Sequence, residues 1–337
     1  MVNLLAVIPN QTDATSFYRG GGPLQHLKRK YNINVNLVSQ YNWFTTGFSD
    51  VVFMQRPFRQ TDVQIAEMAK SLNIPVWIDY DDDLFNLTTD NPAYEVYGQE
   101  SIQNNIKKVM SLANFITVST DDLKYKAEKY LKGKVMTINN AFNSHLIPRI
   151  KSEKRNPLIM WRGSPTHHRD VTTLAQPIME LSHEYNNWGW EFIGDRLWFM
   201  TDQMPHERTI ITEALDIIDY HQHIAVRAPS IFIVPLCNNT FNHSKSNIAW
   251  IEAIYAGAVC VAPDWPEWRR KGCLNYKDSE DFKDVMKELM DGKHNIEELN
   301  KQGEQEIIEK YNIDFTNEQR LAVLAALCPH KFPKLQK

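Results

Sequence analysis

The sequence predicts an α/β fold of two domains facing a central cleft, each domain a parallel sheet covered by helices. Three observations predict it. The 337 residues exceed what one hydrophobic core ordinarily supports, so two domains of about 150 residues each are expected. Short apolar runs alternate with longer amphipathic stretches, which is the pattern of βα units. That alternation is interrupted by the polar, charged stretch Lys151 to Pro157 and then starts again.

In the first half, strands are expected at Leu4 to Ile8, Val35 to Val38, Val51 to Met54, Val76 to Asp79, Phe115 to Val118 and Val135 to Ile138. Gln64 to Leu72 and Ile102 to Ala113 carry apolar residues at helical spacing. Thr120, followed by Asp121 and Asp122, supplies an N-cap for a helix through Tyr130. These elements make a Rossmann-like domain over residues 1–150. The second set runs from 157 to 315: strand Leu158 to Trp161, helix Val171 to Tyr185, strand Trp190 to Ile193, helix near Ile210 to Ile217, strand Ile231 to Val234, helix Asn247 to Tyr255 and strand Val259 to Ala262. From Ser279 onward the chain is helix-rich, and residues 316–337 form a tail.

Composition narrows the function classes. A hydrophobic share of 43%, a charged share of 23% and nine Trp describe a folded globular chain. A net charge of -4 implies no general affinity for nucleic acid or anionic membrane, and the clusters Lys28, Arg29, Lys30 and Arg269, Arg270, Lys271 read as solvated surface. No apolar run approaches the roughly 20 residues that span a bilayer, and Leu4 to Ile8 is too short for a signal peptide, so no stable membrane insertion and a cytoplasmic location are expected. Cys237, Cys260, Cys273 and Cys328 lack C-x-x-C spacing and read as free thiols.

In open parallel sheets ligands bind beyond the C-terminal strand ends, and the motifs fall there. The segment FNHSKSNIAWIEAIYAGAVCVAPD, Phe241 to Asp264, follows the strand and proline of IFIVPL. A loop entering a helix N-terminus presents free N–H groups and a positive dipole end, which suit a diphosphate, and Lys245 adds a charge. This segment resembles the donor-binding region of the retaining GT-B glycosyltransferases of family four. The resemblance implies that Glu252 accepts hydrogen bonds from the nucleotide ribose, that Ser244, Ser246 and Asn247 contact the donor, and that Gly257 lets the chain turn into the next strand. Many members carry a Glu at the position of Ser244, so the donor-sugar contact departs from the family there.

IMWRGSPTHHRDV, Ile159 to Val171, resembles the first strand and loop of the family's C-terminal domain. The resemblance places Arg162 on the donor phosphates, with Gly163 allowing close backbone approach. Where the family has a lysine, His167 or His168 stands, and either imidazole can donate to phosphate; Asp170 reads as a helix cap. FIGD, Phe192 to Asp195, resembles the next strand end.

IPVWIDYDDDLF places Asp79, Asp81, Asp82 and Asp83 at a strand end of the first domain. Carboxylates in D-x-D spacing bind divalent metal in GT-A enzymes. With the donor segment elsewhere, Asp81, Asp82 and Asp83 read instead as cleft residues, one of them orienting an acceptor hydroxyl or acting as its base, or else as caps of the following turn. SFYRGGGPLQHL matches the family's glycine-rich loop in outline, with Tyr18, Arg19 and Gly21 expected at the cleft.

The resemblance thus implies a GT-B enzyme with the acceptor on the first domain, a UDP- or GDP-linked sugar donor on the second, and a C-terminal helix crossing back. Arg162 and Lys245 would stabilise the departing diphosphate, Asp81 would serve the acceptor, and no metal or other cofactor is required. Transfer would retain configuration, to a glycan or to a hydroxymethylated DNA base as in phage enzymes of this fold. The alternative is a sugar-nucleotide 2-epimerase, which shares the fold.

Overall fold

A computed structural model describes residues 1–31, 33–39, 46–130, 134–147 and 154–332. Residues 151–153 of the expected linker and 333–337 of the tail lie outside the described residues. Among the described residues, twelve strands form two six-stranded sheets. The first contains β1 (Val2–Val7), β2 (Ile33–Val38), β3 (Val51–Gln55), β4 (Val76–Tyr80), β5 (Phe115–Val118) and β6 (Lys134–Thr137), in the order β2-β1-β3-β4-β5-β6. The second contains β7 (Asn156–Gly163), β8 (Gly189–Gly194), β9 (Thr209–Glu213), β10 (Pro229–Ile233), β11 (Val259–Pro263) and β12 (Cys273–Tyr276), in the order β12-β11-β10-β7-β8-β9. Every ladder is parallel.

Parallel strands must be covered on both faces, which explains their near-continuous apolar runs. One face of the first sheet packs Val52, Ile78 and Ile116 with Ile65, Ile106 and Val109 of two helices. The other packs Leu4, Phe53 and Trp77 with Leu24 and Leu27. Val323 and Leu324 of the Ile313–Leu327 helix complete that second core, so the last long helix of the chain lies on the first domain. Asn312 caps it, accepting from Phe315 N at 2.8 Å. Where the chain crosses between domains, the two passes touch: Phe142 N donates to Tyr311 O at 2.9 Å and Ile313 N to Phe142 O at 3.1 Å.

The expected strands form within two residues of their expected ends. Two elements correct the sequence reading. Residues 209–213 are strand β9, not helix, and the helix comes later, at Ile217–Arg227, capped by Asp216. TIITE is β-branched and lies at a sheet edge, so its residues remain half exposed and carry no buried stripe. β12, CLNY, was not anticipated; it is a short edge strand without an apolar run. Among the described residues no helix is long and apolar enough to cross a membrane.

Candidate functional site

In the first sheet β1 lies between β2 and β3, and in the second β7 lies between β10 and β8. Both strand orders therefore reverse beside the first strand of their domain, which is where such sheets open a crevice at their C-terminal ends. A cavity of about 310 Å³ lies there, between the domains. The first domain lines it with Tyr18, Arg19, Arg56, Asp81 and Asp82, and the second with Arg162, His167, Lys245 and Ser246.

Glu252 lies just behind this wall, 1% exposed, on the Ile248–Ala256 helix. Its Oε1 accepts from the Tyr18 hydroxyl at 2.9 Å, and its Oε2 from Arg162 Nε at 2.9 Å and the Tyr220 hydroxyl at 3.0 Å. Since Tyr18 gives its proton to Glu252, its oxygen accepts from His221 Nε2, 3.1 Å away. Four side chains of the second domain and one of the first are thereby joined in one buried network. Burial pushes the His221 imidazole down to about 4. Burial and Glu252 push the Tyr18 and Tyr220 hydroxyls well up. Burial pulls the Arg162 guanidinium down, but Glu252 and the two tyrosines outweigh it and hold it above its ordinary value.

The aspartate run is divided among separate basic partners. Asp79 takes Arg19 Nε at 2.9 Å and Nη2 at 2.6 Å, plus the Thr117 hydroxyl at 2.6 Å. Asp81 takes Arg56 Nε at 2.8 Å and Nη2 at 2.6 Å. Asp82 accepts from Arg56 Nη2 at 3.0 Å and, across the domains, from Lys245 Nζ at 2.9 Å. Burial raises the Asp82 carboxyl, yet Lys245 and Arg56 outweigh it and bring it to about 2. Asp83 turns away, to Lys126 Nζ at 2.8 Å and Asn86, and does not line the cavity.

Gly21 is also outside the cavity wall. The glycine triplet is not a loop: Gly21 and Gly22 begin the Gly21–Lys30 helix, and a Cβ on Gly22 would stand 2.2 Å from the Phe17 carbonyl oxygen. These glycines serve helix–helix approach. Arg19 reaches the cavity, but its donors are committed to Asp79 and, through Nη1, to Ile138 O.

The loop before the Ile248–Ala256 helix is tied to the first domain. Ser244 is buried off the cavity: its carbonyl accepts from the Thr120 hydroxyl at 3.2 Å, and its own hydroxyl accepts from Lys126 Nζ at 2.6 Å and donates to Asp122. Ser246 Oγ accepts from Asn140 Nδ2 at 2.8 Å. Asn247 is the buried N-cap residue, though its side chain makes no capping bond.

Gly163, the last residue of β7, is not on the wall. A Cβ at Gly194, whose φ is +103°, would lie 2.3 Å from Gly163 O, and one at Gly163 would lie 2.4 Å from the Trp161 ring, so each strand end needs glycine for its own reason. His167 lines the cavity with Nδ1 2.9 Å from Asp170 Oδ2. His168 turns away to Asp195. Asp170 does not cap a helix; it is buried and its Oδ1 accepts from Cys237 N at 3.0 Å and Asn242 Nδ2 at 2.6 Å.

Sequence reasoning missed Arg56, Tyr220, His221, Asn140 and Lys126. Arg56 had a signal: it follows strand β3 directly and precedes Pro57. It adopts φ +46°, a left-handed conformation costly for a side chain of its size and held here by two carboxylates. The other four had none, because their roles depend on contact between domains or helices distant in sequence.

Neither a known protein family's profile nor a curated protein's sequence matches this chain. Solved structures match along nearly all of it. The Anabaena protein HepE in complex with UDP-glucose gives a TM-score of 0.69 at 11% identity, over 97% of this chain and 100% of that one. UDP-GlcNAc 2-epimerase from Neisseria meningitidis, bound to UDP-GlcNAc, gives 0.55 at 11% identity, over 96% and 100%. The α,α-trehalose 6-phosphate synthase of Burkholderia multivorans gives 0.65 at 7% identity, over 100% and 99%. The two parallel six-stranded sheets with their helices match the GT-B architecture of these neighbours.

Proposed function

We propose that the chain is a glycosyltransferase that moves a sugar from a nucleotide-sugar donor to an acceptor hydroxyl. One observation carries this: Arg162, His167 and Lys245 converge on a single interdomain cavity next to the N-terminus of the Ile248–Ala256 helix. Fixed positive charge and free N–H groups at such a place stabilise a diphosphate, and more so the extra charge it gains as the sugar departs. Arg162 and Lys245 carry that role, with Ser246 and Asn247 presenting the helix end. Solved neighbours hold UDP or UDP-glucose, which supports a UDP-linked donor, with GDP as the other candidate.

For Glu252 to receive a ribose, Tyr18 must leave its Oε1, and for Lys245 to meet phosphate, Asp82 must release it. Both contacts cross the cleft, so the donor enters as the domains part and is enclosed as they return. The acceptor, a glycan or a hydroxymethylated base in DNA, lies toward Tyr18, Asp81 and Asp82, with Asp81 orienting its hydroxyl. Transfer retains configuration. It needs no metal, since Asp81 and Asp82 already share a guanidinium. The same pairing disfavours 2-epimerisation, which requires a separate acid and base at the sugar ring: among the described residues the cavity's carboxylates are Asp81 and Asp82, both on Arg56.

The test is a screen of nucleotide sugars for hydrolysis and thermal stabilisation, with and without EDTA, on the parent and on Glu252→Ala and Lys245→Ala. Stabilisation by one nucleoside diphosphate, indifferent to EDTA and lost in both variants, is the expected result. Stabilisation that requires metal and survives both substitutions would refute the site. Interconversion of the donor sugar without acceptor would make the chain an epimerase. Duplex binding that weakens steeply with salt would select DNA as acceptor.

A further inference from the structure

Asp170 holds no place in the scheme above, yet it is a buried carboxylate with a full set of partners. Its Oδ1 is taken by the Cys237 amide and by Asn242 Nδ2, and its Oδ2 faces His167 Nδ1 at 2.9 Å. Burial alone would raise this carboxyl, but the His167, Cys237 and Asn242 contacts hold it below its ordinary value, so it is ionised at neutral pH. An ionised carboxylate only accepts hydrogen bonds, and therefore Nδ1 of His167 carries a hydrogen. Nε2, on the far side of the ring, is the nitrogen left for the cavity that His167 lines.

A histidine whose Nδ1–H is bound by a buried carboxylate is fixed in tautomer and orientation. The charged groups around this ring are Asp170 on its own segment, Arg162 on β7, and Asp82 across the cavity with its partners Lys245 and Arg56. The amide of Cys237 and the side chain of Asn242 belong to the segment that precedes Lys245. Asp170 thus ties the loop after β7 to the loop that carries Lys245, and sets His167 between them.

Resting on the glycosyltransferase reading, we propose that His167 Nε2 is the proton donor to the departing diphosphate and that Asp170 is the residue positioning it. As the bond from the sugar anomeric carbon to the phosphate oxygen breaks, its electron pair stays on that oxygen, which takes the Nε2 proton. A new bond forms from the anomeric carbon to the acceptor oxygen, and the acceptor hydroxyl's proton returns to Nε2. The net change moves one proton from acceptor to nucleoside diphosphate and restores the imidazolium.

The experiment has two arms. In the first, ¹⁵N-edited NMR of the ligand-free protein, with His167→Gln to assign the resonance, reads the tautomer. Above the pH at which the ring deprotonates, an Nδ1–H with bare Nε2 is expected; an Nε2–H with bare Nδ1 overturns the proposal. In the second, kcat and KM for donor turnover are measured against pH for the parent, His167→Gln and Asp170→Asn. His167→Gln is expected to lower kcat about 10²-fold or more, with a smaller change in KM for the donor. Asp170→Asn is expected to shift the basic limb of the kcat profile to lower pH, because the imidazolium loses its anionic partner. An unmoved profile in Asp170→Asn, in protein that binds nucleoside diphosphate as the parent does, overturns the positioning role. Parent protein that turns over no nucleotide sugar overturns the glycosyltransferase reading instead, whatever the NMR arm gives.

Discussion

His221 provides a stability switch whose size follows from its surroundings. It is 4% exposed, donates through Nε2 to the Tyr18 oxygen, and is held at about 4 chiefly by burial, against 6.5 for a free histidine. The depressed folded value fixes the sign. Above pH 6.5 the ring is neutral both folded and unfolded and contributes no pH dependence. As pH falls below 6.5 the unfolded chain takes up the proton first, so stability declines until about pH 4, where the folded ring is also charged. The full penalty for a shift of this size is about 3 kcal/mol, of which about 2 kcal/mol is incurred between pH 7 and pH 5. In a domain of ordinary size that lowers the melting temperature by roughly 4–8 °C. Other groups titrate in this range too, so the measurement is the difference between the parent and His221→Gln, whose amide can still donate to Tyr18, followed by circular dichroism from pH 7 to pH 5. His221→Gln should lose that share of the decline. Identical pH dependence in the two proteins would show that the folded ring titrates normally and that the network tolerates its charge.

Asp79→Ala should destabilise the first domain by about 3–5 kcal/mol in urea unfolding, because Arg19 loses a bidentate partner in the core and Arg320, which burial and Arg19 already depress to about 9, stays beside it. Asp82→Asn should bind a nucleoside diphosphate more tightly, by calorimetry, since Lys245 no longer has to leave a carboxylate; weaker binding would contradict a phosphate role for Lys245. Gly194→Ala should cost more than about 1 kcal/mol in thermal unfolding, because φ +103° disfavours alanine and the new Cβ would press on the Gly163 carbonyl.

The sheets were legible because parallel strands are covered on both sides and read as uninterrupted apolar runs, as in VVFM and VCVA. The edge strands β9 and β12 lack both that cover and an apolar run, which is why they escaped. The cavity's second-domain wall was legible in outline, since Arg162, His167, Lys245 and Ser246 lie at or after strand ends, where ligands bind. What could not be read was the pairing across the cleft. Nothing in the neighbourhood of Tyr18 points to Glu252 or His221, and nothing near Ser244 points to Lys126. Asp170 looked like a cap because aspartate opens helices so often, and its buried partners come from a loop far downstream.

The Ile313–Leu327 helix has a consequence for how the molecule is made. Its Val323 and Leu324 close one face of the first sheet, over Leu24, Leu27 and Trp77, so that core is finished by side chains translated after both sheets. The domain synthesised first is therefore completed last. While the second domain is emerging, the first exposes the part of that apolar face which the Ile313–Leu327 helix will cover, the kind of surface on which chaperones act. A chain halted at residue 312 would contain every strand of both sheets and still leave part of one face of the first uncovered, beside Leu24 and Leu27.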